Sequence, residues 1–112
     1  MAITRKSGIV PVLETETKLL EAETSQNIAV TSLILGNVHG TNTAKVSLYL
    51  RKDGVATSVA IINEMSVAAG EAVQFFIGGK DSLFLEPGDR LSAKAVAVSE
   101  INATLSYMVE TA

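Results

Sequence analysis

The chain has 112 residues and a mass of 11.8 kDa, 47% of them hydrophobic and 4% aromatic, with no cysteine and a net charge of −3. That is one domain with a core of its own; it excludes a disulfide framework, a thiolate metal site and a cysteine nucleophile, and it leaves no room for a second core. Nine basic side chains at a sequence pI near 5.0 give no electrostatic footprint for nucleic acid, so no nucleic-acid partner is expected.

The first eight residues, Met1-Ala2-Ile3-Thr4-Arg5-Lys6-Ser7-Gly8, are mostly polar and end in glycine. They read as part of an N-terminal arm, residues 1–15, ahead of a sandwich domain spanning 16–112. The apolar run that follows is too short for a signal-peptide core, and no stretch approaches the roughly 20 apolar residues of a membrane span, so no membrane partner is expected. Ile9, Val10, Pro11, Val12 and Leu13 form that short run. A run of this kind is suited to lie along the edge of a sheet, with the proline limiting further pairing, and these five residues are the expected interaction segment.

Residues 13–22 contain good helix formers, but Thr15, Thr17 and the Thr24-Ser25-Gln26-Asn27 break favour strand or loop. Residues 27–35 read as a strand covered on both faces, because Leu33, Ile34 and Leu35 are consecutive. Lys45 to Arg51 gives the clearest period of two, with Val46, Leu48 and Leu50 on one side and Lys45, Ser47, Tyr49 and Arg51 on the other. Asp53-Gly54 is a hairpin signal before a strand at 55–62. Further strands are expected at 72–77, 91–98 and 101–110, separated by turns at Ala69-Gly70, Gly78-Gly79 and Glu86-Pro87-Gly88-Asp89. Strands recurring at this spacing predict an all-β, antiparallel two-sheet sandwich of about eight strands, jelly-roll or immunoglobulin-like.

Residues for chemistry are scarce. His39 is the only histidine and sits in a polar loop, where an exposed structural role is expected rather than a base or ligand role. Glu14, Glu16 and Glu21, and the Glu86/Asp89 pair around Pro87-Gly88, read as solvated carboxylates without an aromatic platform for a sugar. No catalytic residue, cofactor, metal or small-molecule substrate is expected. The apolar share of so small a chain instead predicts leftover apolar surface and self-association as a homo-oligomer.

The run Leu83-Phe84-Leu85-Glu86-Pro87-Gly88-Asp89-Arg90-Leu91, the closing Ala103-Thr104-Leu105-Ser106-Tyr107-Met108-Val109-Glu110, and Thr31-Ser32-Leu33-Ile34-Leu35-Gly36-Asn37 carry a resemblance to small β-sandwich virion proteins of tailed bacteriophages. It covers about residues 17–110. The resemblance implies a non-enzymatic virion protein, a capsid decoration or cement protein that binds the major capsid protein on the particle exterior. A tail, neck or baseplate component and a carbohydrate-binding module are the alternatives it leaves.

Overall fold

The computed structural model describes residues 2–75, 83–96 and 101–111. It contains nine strands and no helix among the described residues: β1 (Ala2–Val12), β2 (Thr17–Glu21), β3 (Gln26–Asn37), β4 (Ala44–Arg51), β5 (Val59–Val67), β6 (Ala72–Phe75), β7 (Leu83–Leu85), β8 (Arg90–Val96) and β9 (Ile101–Thr111). The first sheet has the order β1-β9-β3-β6, with β7 also paired to β3; the second has the order β2-β8-β4-β5. Every pairing is antiparallel. Since β6 and β7 pair with successive stretches of β3, they share one lateral place, and the chain crosses between the layers in jelly-roll order, staying in one layer from β4 to β5 and from β6 to β7. The all-β two-sheet expectation holds, with nine strands instead of about eight.

The alternating residues of β4 and β9 do what their period requires. Val46 and Leu48 from β4 and Ile101, Ala103 and Leu105 from β9 are fully buried between the sheets, each large side chain contributing about 1.5–3 kcal/mol through removal from water. Leu33, Leu35, Leu91 and Ala93 complete the centre. Ala95 of β8 is fully buried beside Ala93. Ile34, read above as covered, is half-buried, because only the Leu33 and Leu35 side of β3 faces the core.

The ends of the strands differ from the sequence expectation in two places. Residues 2–12 form β1 and pair in unbroken register with residues 111–101 of β9. The strand expected at 55–62 starts at Val59 and runs to Val67, and its register with β4 shifts between Val46/Leu48 and Leu48/Tyr49. Phe76, Ile77, the Gly78-Gly79 turn, Asp81, Ala97 and Val98 lie outside the described residues.

Three buried polar side chains each serve a backbone feature. Ser47 accepts the amide of Glu64, which sits at φ 47° in β5. Asn37 donates to the carbonyls of Asn42 and Val67 and accepts the amide of His39. Asp89 has the third such role. Gly88 at φ 89° and the Asp89 amide donating to the Glu86 carbonyl at 2.9 Å give the glycine-dependent turn expected there.

Candidate assembly surfaces

The sequence places few titratable groups together, and the structure uses those it has as fasteners. Asp89 is 1% exposed and accepts hydrogen bonds from the Lys52 ammonium and the amides of Asp53 and Glu86. Burial opposes ionisation of this carboxyl most strongly, but the Lys52 ammonium and the two amides together outweigh it and hold its pKa below the ordinary carboxylate value. The same contact raises the pKa of Lys52, with Glu86 adding to it at 3.1 Å. The solvated-carboxylate expectation is therefore corrected for Asp89, which clasps the β7–β8 turn to the β4–β5 turn.

His39 is half-buried in the β3–β4 loop. Its Nδ1 accepts the amides of Thr41 at 3.2 Å and Asn42 at 3.1 Å, so the ring closes the loop as an acceptor. Among the described residues, no group of three or more His, Cys, Asp or Glu side chains could hold a metal ion. No described helix is long and apolar enough to cross a membrane.

The strand edges are different in kind. β2 is five residues long with an irregular register, β5 is interrupted twice, and β6 and β7 are short. β1 is an 11-residue edge whose outer side has no partner among the described residues. Pro11 is paired with Asn102 inside its ladder, which requires the proline nitrogen to point to the free side. Residues of the same parity, Ile9, Ser7 and Arg5, then present their amides to that side as well. Long free edges recruit strands from other chains unless they are blocked, and only Pro11 and the Arg5-Lys6 pair blunt this one.

The five-residue segment expected to interact does not act as a unit. Val12 is fully buried, Val10 is half-buried, and Ile9 and Leu13 are 69% and 52% exposed, with Pro11 exposed beside them. Ile9 and Pro11 stand on the outer face of the first sheet. Ile3, near the other end of β1, is 65% exposed on the same face. In this half of β1 side chains on both sides are exposed, so no apolar alternation signals a strand.

The outer faces of the two sheets also differ. On the first, the register aligns Arg5, Met108, Ala29 and Phe84 across four strands, next to a row of Ile3, Glu110 and Asn27. Small Ala29 between larger neighbours leaves a shallow depression of about 270 Å³, lined mainly by Ile3, Phe84, Leu85 and Met108. On the second sheet, core-facing Val46, Leu48, Leu91 and Ala93 put Lys45, Arg51, Lys94 and Arg90 on the outer side. Arg90 and Arg51 are direct cross-strand neighbours, a like-charge pairing that costs stability. Arg90 is offset by Glu21 at 3.0 Å, and this guanidinium contact is the chief reason the Glu21 pKa is lowered.

No protein-family model matches the chain, and no curated protein matches its sequence. The fold is similar to that of a solved structure, a chain from the disulfide-linked pili formed by Bacillus endospore appendages, with a TM-score of 0.55 at 18% identity, covering 97% of this chain and 88% of that one. This likeness is one of fold. It overturns the phage reading: the full-length counterpart is a pilus subunit, so capsid decoration, the major-capsid partner, the virion location and the tail, neck or baseplate alternative are withdrawn. The carbohydrate-module alternative falls with them. The turn and strand patterns that suggested phage proteins are those of a jelly roll in general, since Pro-Gly-Asp turns ahead of a strand are set by backbone geometry rather than by role.

Proposed function

We propose that the protein is a non-enzymatic structural subunit that assembles with copies of itself into an extracellular filament. The observation that carries this reading is the fold likeness to an appendage pilus subunit over 97% of the chain. The free edge of β1 supplies a means. β1 shares a flank with β2, as Lys6 and Glu21 lining one groove indicate, and β5 edges the other flank. Contact between β1 of one copy and β5 of the next therefore uses two different surfaces, and a head-to-tail contact that does not close continues as a filament. Arg5 and Lys6 on β1 and Glu64 on β5 favour this pairing over β1 with itself. Ile9 and Pro11 belong to the contact as part of β1, and Leu13 flanks it.

The chain has no cysteine, so its assembly uses no disulfide, unlike the disulfide-linked pili it resembles in fold. Electron microscopy of the purified, concentrated full chain tests the proposal. Regular filaments that persist in reducing agent are expected; uniformly dispersed 11.8 kDa particles at every concentration would refute it.

A further inference from the structure

Resting on that reading, we infer that the protein makes a second self-contact besides its strand edge: the basic outer face of the β2-β8-β4-β5 sheet packs against the apolar depression on the outer face of the β1-β9-β3-β6 sheet of another copy. Charge is the argument. In a chain of net charge −3, Lys45, Arg51 and Lys94 gather on one sheet face around half-buried Tyr49. None of the three has an ion pair or hydrogen-bonding acid among the described residues. Holding them together carries a repulsive cost that an acidic counter-surface removes.

The depression on the other sheet offers one unpaired acid, Glu110, at the rim of an apolar floor. Phe84 is 65% exposed beside half-buried Met108, and the rim carries Glu110, which has no partner among the described residues, and Glu86, which Lys52 already holds at 3.1 Å; Arg5 stands opposite Met108. Lysine and arginine stems can cover the apolar floor while a head reaches the Glu110 carboxylate, and a cation over the Phe84 ring gains further attraction. Opposite faces of the sandwich carry the two surfaces, so the contact is heterologous and repeats from copy to copy.

Its size sets its role. Four strands about 4.8 Å apart and seven residues of about 3.3 Å each give a face of roughly 450 Å², below the roughly 800 Å² per partner of a standard interface. The face contact therefore adds to the edge contact and gains from the effective concentration that the edge provides.

A charge-swap series on the full chain tests this, read by sedimentation velocity as the protein concentration for half-assembly in low and high salt. Lys45→Glu with Lys94→Glu, and separately Glu110→Lys, should each raise that concentration by about tenfold at low salt and flatten its salt dependence, while the combined swap restores it to within about threefold. The neutral pair Lys45→Gln with Lys94→Gln should give a smaller rise in the same direction, and thermal unfolding shows whether each variant remains folded. Assembly that ignores both reversals, or a combined swap no better than either alone, overturns the face contact and leaves filament formation standing. A wild-type chain that never associates overturns both.

Discussion

Asn37 at the end of β3 and Val67 at the end of β5 belong to different sheets, and the buried Asn37 amide joins them by donating to the Val67 carbonyl at 2.9 Å. Its other bonds, to the Asn42 carbonyl and from the His39 amide, fold the β3–β4 loop against the same point. Asn37→Ala leaves two carbonyls and an amide without partners in a site water reaches poorly. It should cost about 2–4 kcal/mol, seen as a lower urea midpoint with an unchanged denaturant slope. Asn37→Asp should cost at least as much, because a carboxylate cannot donate to either carbonyl.

The Asp89 clasp makes stability depend on acid. The folded-state pKa of Asp89 lies below its unfolded value of about 3.9, so the unfolded chain binds more protons between the two, and stability rises with pH across that window. The contribution is complete above about pH 5 and is lost as pH falls through the folded value. Asp89→Asn should lower stability at pH 7 by about 2 kcal/mol and show a flatter fall below about pH 4 than the wild-type chain. Urea midpoints measured from pH 2 to 7 check both halves.

Gly88 carries the turn that delivers Asp89. Its φ of 89° disfavours any side chain, and a Cβ there would run into the Asp53 side chain. Gly88→Ala should cost about 1–3 kcal/mol. Gly40 is the control: a Cβ there meets nothing within 4 Å, so Gly40→Ala should stay within about 0.5 kcal/mol of wild type in the same unfolding experiment.

How much of this was legible depends on what each residue answers to. β4 and β9 could be read because one face of each packs on the core and the other does not, and alternation records that directly. The first half of β1 could not, since Thr4, Arg5, Lys6 and Ser7 are exposed on both sides and only main-chain pairing holds them in line. Glu86-Pro87-Gly88-Asp89 was visible as a turn through local geometry, but the burial of Asp89 depends on Lys52 and Asp53, 37 and 36 positions away, a relation no local pattern carries. His39 was legible as a loop residue, whereas its role as a double acceptor needs the loop's own path. The polar side of β4 was plain; that Lys45 and Arg51 meet Lys94 and Arg90 on one face follows only from the register with β8.

The central claim, that copies of this chain join through the free edge of β1, is tested most directly by Ser7→Pro. Ser7 shares its parity with Pro11, so the substitution removes an amide on the free side while leaving the ladder to β9 intact. Sedimentation velocity should show wild-type protein passing into large assemblies as concentration rises, in the presence of reducing agent, and folded Ser7→Pro remaining at 11.8 kDa over the same range. Assembly of Ser7→Pro at the wild-type concentration would contradict the account.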